Sequence, residues 1–149
     1  NRHALVDPGR TDRRRCGHYH CSHGTVVLPQ GNVAMTYGGA RCAHLDLPLT
    51  VMRCESFVER ARGLLLRPPL LDAQALLIAP CSSVHMIGMR YAIDVAFVDA
   101  EDIVITVRHA LPPFAIASAR GARAAWEFTA GTCARLTIAP GSHLTFVPN

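Results

Sequence analysis

From residue 44 the chain falls into a regular alternation. In His44-Leu45-Asp46-Leu47-Pro48-Leu49-Thr50-Val51 the odd positions are apolar and the even ones mostly polar. A period of two marks a strand with one buried face. Pro48 sits on the outward phase and has no N–H for a ladder, which predicts an edge strand or a bulge. Ser56-Phe57-Val58-Glu59 comes next, with the serine placed to cap a helix and Glu59 to reach back. Phe57, Ala61 and Leu64 then share a helical spacing until Pro68 and Pro69 stop it. One short helix is predicted near 57–66.

Several short extended runs follow. Ala75–Ala79 is apolar. Val84–Tyr91 is irregular, with Gly88 as a bend. Ile93–Val98 is apolar on both faces except for Asp94, the mark of a central strand. Ile103, Ile105 and Val107 alternate with Val104, Thr106 and Arg108. The stretch 110–122, holding Pro112 and Pro113, reads as a long loop. Trp126 and Phe128 oppose Ala125, Glu127 and Thr129. Ala134, Leu136 and Ile138 alternate with Arg135 and Thr137, which predicts a strand over 133–138. Pro140-Gly141 makes a turn before Leu144 and Phe146. About eight short strands with turns between them predict a mainly β domain, a small barrel or a jelly-roll-like sandwich.

The first 34 residues break this picture. They show neither period, and five of the 15 arginines fall there against two acids, Asp7 and Asp12. The rest carries ten arginines and nine acids, with no lysine anywhere. The basic charge is thus a property of the amino terminus, and no basic stripe with interleaved aromatics predicts nucleic-acid binding. Asn1 opens the sequence. We read 1–40 as a disordered or non-native extension, with a true start at Met35 as one form of it, and 41–149 as a single β domain. Cys16, Cys21, His18, His20 and His23 have the chemistry of zinc ligands, but their spacing matches no standard finger. No metal and no cofactor are expected. No apolar run approaches the ~18 residues of a membrane span. Six cysteines without a C-x-x-C pair or a signal peptide fit reduced thiols in the cytoplasm.

An ordered series of motifs runs through the domain. Arg60-Ala61-Arg62-Gly63-Leu64-Leu65-Leu66-Arg67-Pro68-Pro69-Leu70 is followed by Ala75-Leu76-Leu77-Ile78 and Pro80-Cys81-Ser82-Ser83-Val84-His85. Met89-Arg90-Tyr91-Ala92-Ile93-Asp94-Val95-Ala96-Phe97-Val98-Asp99 comes next. Ala122-Arg123-Ala124-Ala125-Trp126-Glu127 and Ile138-Ala139-Pro140-Gly141 complete it. The series resembles the family called domain of unknown function 192 over roughly 41–147. The resemblance implies a small β-barrel or jelly-roll-like sandwich with one short helix. It implies no reaction, cofactor or partner.

Asp94 interrupts an apolar run, and a buried carboxylate is costly unless paired. Arg62, Arg67 and Arg90 are its candidate partners through two-pronged hydrogen bonds. Glu127, flanked by Trp126 and Phe128, poses the same problem. Together with Cys81, Ser83 and His85 these residues form a candidate polar network or pocket, with Trp126 as a wall. Cys81 and His85 suggest a thiol and its base. An extended strand sets residues four apart about 13 Å from each other, whereas the pair needs about 3 Å, so no catalytic residue is assigned. The preferred reading is a small non-enzymatic binding or accessory domain with a polar pocket, for an anion or another small ligand. The alternatives are a cysteine- or carboxylate-dependent hydrolase and an interaction domain offering the 44–52 strand as an edge.

Overall fold

The computed structural model describes residues 35–149. The Cys16–His23 cluster and the rest of 1–34 lie outside them. The elements in order are β1 (Met35–Cys42), β2 (Leu45–Cys54), α1 (Phe57–Arg62), β3 (Gln74–Ile78), β4 (Ser83–His85), β5 (Ile93–Val98), β6 (Val104–Leu111), β7 (Ile116–Ser118), β8 (Ala124–Thr129), α2 (Thr132–Arg135) and β9 (Leu144–Pro148).

Seven strands make one sheet in the order β6-β5-β8-β3-β2-β1-β9, and β4 pairs with β7 separately. All neighbours in the large sheet are antiparallel except β2 and β3. A parallel pair needs a crossover rather than a hairpin, and residues 55–73 supply it, carrying α1. The two edges of the sheet meet at one end. Ile103 bridges His143, the Val104 N–H donates to the Ser142 carbonyl at 2.8 Å, and the Leu144 N–H to that of Asp102 at 2.9 Å. The sheet is therefore curled, and the mainly β fold expected from the alternation is the fold found.

The sheet is packed on both sides. Leu76, Ile78, Ile93, Val95, Phe97 and Ala125 join Leu64, Leu70, Val84, Met86 and Met89 on one face. Ala75, Leu77, Ala96, Val98, Trp126 and Phe128 join Val51, Val104, Cys133, Ile138 and Leu144 on the other. That is why β5 is buried at every position and why its sequence is a nearly unbroken apolar run.

Several expectations need correction. Residues 35–40 belong to β1, which pairs with both β2 and β9, and not to an extension. Met35-Thr36-Tyr37-Gly38-Gly39 carries no alternation to reveal it. The 44–51 strand is an edge over part of its length only: residues 51–54 of β2 pair with both β1 and β3, whereas Leu45, Asp46 and Leu47 pair with β1 alone. The bulge alternative holds: the register shifts between Gly38 and Ala40, in the stretch facing Pro48. Helix α1 is shorter than predicted. Gly63, at φ 52, ends it by donating to the Glu59 carbonyl, and Phe57 is 76% exposed rather than core. The predicted strand at 133–138 is a turn of helix, α2, followed by Thr137 at φ 57. There Cys133 and Ile138 are buried and Ala134 is exposed, so the apparent alternation is accidental. Within the predicted 110–122 loop, Ile116–Ser118 pairs with β4.

Candidate functional site

Strand β8 sends Trp126 and Phe128 to one face and Ala125 to the other. Strict alternation puts Glu127 on the Ala125 face, beneath the α1 crossover. The Ser56 hydroxyl accepts from the Glu59 N–H at 3.2 Å and starts that helix. Glu59 does not reach back to Ser56. Its carboxylate, 1% exposed, pairs with Arg67. Arg67 Nε also donates to the Gly63 carbonyl at 2.8 Å, and Arg62 donates to the carbonyls of Leu65 and Leu66, both at 2.9 Å. Two arginines thus fold the chain after α1 into a tight loop over the sheet. Gly63 lies against the Glu127 carboxyl, since a Cβ there would stand 3.8 and 3.9 Å from its two oxygens.

Glu127 is 5% exposed. Its Oε2 is buried without a hydrogen-bond partner, as is the Tyr91 hydroxyl. A buried carboxyl with an empty lone pair favours its proton. Burial pushes Glu127 up from 4.5 to about 7, against the opposing charge of Arg67. Burial raises the Tyr91 hydroxyl, with the Glu127 charge adding to it. Burial likewise pushes the Cys54 thiol up to about 11.

A cavity of about 50 Å³ opens above Glu127. Of the residues expected to form a site, Arg62, Cys81, Ser83, His85 and Glu127 line it. Its apolar wall comes from Leu64, Met86, Met89 and Ile93. Arg67 stands behind the wall with its guanidinium on Glu59. Arg90 is exposed and does not join the lining. Trp126 is no wall either: it lies in the cluster on the opposite face, stacked on Phe128 at 6.2 Å.

Asp94 is the larger correction. It is fully buried, but no arginine of the described residues pairs with it. Oδ1 accepts from the Ala110 N–H and Oδ2 from the Cys133 N–H, each at 2.9 Å. His109 Nδ1 is 3.8 Å from Oδ2. Ile93 and Val95 face the α1 side, so alternation turns Asp94 away from Arg62 and Arg67 toward α2. Backbone amides satisfy the carboxylate in place of guanidinium. Burial, followed by the adjacent Asp94 charge, pushes the Cys133 thiol up to about 12.

Cys81 has no basic partner. Its Sγ donates to the Ser83 carbonyl at 3.2 Å, not to His85, which is exposed on the short β4 strand. Burial raises the Cys81 thiol, the reverse of what a thiolate nucleophile requires. Among the described residues no three His, Cys, Asp or Glu side chains are grouped to hold a metal, and no helix is long and apolar enough to cross a membrane. The sequence reading missed Glu59, Tyr91 and Gly63. Glu59 carried a signal, but the same position also satisfies a capping box.

Comparison with known proteins agrees with this architecture. The model of an uncharacterised family, DUF192 ("Uncharacterized ACR"), matches residues 42–146. No curated protein matches. A crystal structure from Sinorhizobium meliloti 1021, described as a "putative transcription regulator", superposes with a TM-score of 0.69 at 22% identity, covering 78% of this chain and 98% of that one. A protein of unknown function from Novosphingobium aromaticivorans DSM 12444 superposes with a TM-score of 0.65 at 21% identity, covering 80% and 90%. At these identities the likeness concerns the fold alone.

Proposed function

Since the chain belongs to the DUF192 family, which defines no reaction, we propose from the site's geometry that it is a non-enzymatic module binding a small polar ligand in the Glu127 cavity. The observation that carries this reading is the unpartnered, buried Oε2 at a cavity floor. Native proteins seldom leave such an atom unsatisfied, because each one costs about 1–3 kcal/mol. A ligand N–H or O–H on Oε2 removes that cost. The cavity's size limits the choice. At about 10–15 Å³ per water, it holds roughly three or four waters. The guest is therefore a group of a few non-hydrogen atoms, such as a small amine, amide or alcohol, or the tip of something larger. An anion fits less well, because the donors of Arg62 and Arg67 that the loop uses are committed to carbonyls and to Glu59. The cytoplasm is the compartment that suits four free thiols.

Thermal-shift screening of the full chain against small amines, amides, alcohols, anions and metal ions tests the reading. A binder stabilises by mass action. We expect a shift with donor-bearing compounds that disappears in Glu127→Ala, and one that grows with pH above 7 for amines. Silence across the panel, or a shift indifferent to the substitution, removes the proposal. A second reading, a carboxylate-dependent hydrolase, draws on one observation: a carboxyl near 7 is tuned for general acid–base work at neutral pH. Turnover of small esters or amides, lost in Glu127→Gln, is what that reading requires.

A further inference from the structure

A second hollow lies beside β4, on the other side of Ser83. It is a shallow, solvent-open hollow of about 500 Å³, lined by Ser82, Ser83, Ser118, Arg120, Gly121 and Arg123. No aspartate or glutamate of the described residues takes part. The backbone that presents the arginines is firmly anchored. The Ala122 N–H donates to the Ala119 carbonyl at 3.2 Å, making a turn with Arg120 and Gly121 at its corner, and Gly121 adopts φ 87. The Ala119 N–H donates to the Ser82 carbonyl at 3.1 Å. Arg123 is held at both backbone groups, its N–H on Val98 at 2.7 Å and its carbonyl under the Cys81 N–H at 2.9 Å.

Most arginines of the described residues are spoken for. Arg41, Arg53 and Arg67 pair with carboxylates. Arg60, Arg62 and Arg135 donate to backbone carbonyls. Arg120 and Arg123 do neither, and they share one hollow. Two guanidinium charges with the Ser82 and Ser118 hydroxyls beside them match a doubly charged phosphate, which accepts paired bonds from arginine; the Ser83 hydroxyl is committed to the Ala117 carbonyl. The hollow is open to solvent, so an organic group carried by the phosphate can project from it along the Ser82 to Ser118 rim. We infer that this hollow binds the phosphate of a small organic phosphomonoester. The two hollows share Ser83 but no charged residue, and the inference does not depend on the Glu127 proposal.

Titration calorimetry on the full chain at low ionic strength tests the assignment, with ribose 5-phosphate and inorganic phosphate as probes. Ribose 5-phosphate should bind saturably and more tightly than inorganic phosphate. Arg120→Gln with Arg123→Gln should weaken it at least about tenfold, the loss expected from charge-assisted hydrogen bonds. Both arginines are exposed, so circular dichroism should show the variant folded. Arg90→Gln with Arg108→Gln, which removes equal charge elsewhere, should bind as the parent does. So should Glu127→Gln, which separates this inference from the proposal above. Absence of binding, an unchanged affinity in the double variant, or an equal loss in the Arg90 and Arg108 control overturns the site. Equal affinity for inorganic phosphate overturns the organic ligand.

Discussion

Replacing Glu127 by glutamine removes a titrating group while keeping its shape. In the folded chain burial holds this carboxyl at about 7, and the unfolded value is 4.5. The folded state therefore keeps the proton to higher pH than the unfolded state does. Below about 4.5 both states are protonated and the group costs nothing. Between 4.5 and about 7 the unfolded chain has already released its proton, so stability falls as pH rises. Above about 7 the loss is complete. That interval corresponds to about 3 kcal/mol, at about 1.4 kcal/mol for each tenfold change. Glu127 is 5% exposed, so solvent screens little of it. Urea unfolding of parent and variant at pH values from about 4 to about 9 reads the difference directly. The variant should gain about 3 kcal/mol on the parent across this range, or roughly 6–12 °C in melting temperature. The substituted side chain brings its own unpartnered amide, but that offset is the same at every pH. A difference between the two proteins that stays flat with pH would refute the buried, proton-holding carboxyl.

Further substitutions probe the frame. Asp94→Ala strips the acceptor from the part-buried Ala110 amide and the buried Cys133 amide, and the buried donor at about 1–3 kcal/mol, with a smaller share from the other, predicts a loss of about 2–3 kcal/mol by urea melts; a loss under about 1 kcal/mol contradicts the two-amide anchor. Arg67→Met leaves Glu59 buried and alone, with a cost of about 3–5 kcal/mol. Adding Glu59→Gln should recover part of it in a double-mutant cycle, and strict additivity would deny the pair. Gly38→Ala drives a Cβ to 2.3 Å from the Val147 carbonyl oxygen, for a cost at the upper end of about 1–3 kcal/mol. Gly39→Ala has nothing within 4 Å and should stay within about 0.5 kcal/mol. Equal melting temperatures for these two variants would displace β1 from β9.

Much of the sheet was readable because its period is local. Ile93–Val98 announced a central strand through an unbroken apolar run, and Ser56 announced the helix start. The site was only half readable. Cys81, Ser83, His85 and Glu127, grouped from the sequence, line one cavity. Asp94 was assigned to arginine because sequence displays side-chain charges and hides backbone amides. Its real partners, the N–H groups of Ala110 and Cys133, are 16 and 39 residues away and carry no identity of their own. The 133–138 run was misread because so short a stretch cannot separate a strand's period from a helical turn. Strand β1 escaped notice because paired glycines carry no pattern, although Gly38 is where the Val147 backbone comes closest.

The one parallel junction in the sheet has an evolutionary corollary. Because β2 and β3 run the same way, the polypeptide must return over the sheet between them, and that return forms the roof above Glu127. Floor and roof are thus built differently: the floor is welded into the ladder at β8, whereas the roof at 55–73 lies outside the ladder, held by two arginine clasps and by Leu64 and Leu70 in the core. Changes at exposed roof positions such as Phe57, Val58 and Leu66 touch neither the ladder nor the core, so this face of the architecture can vary while the strands keep their register.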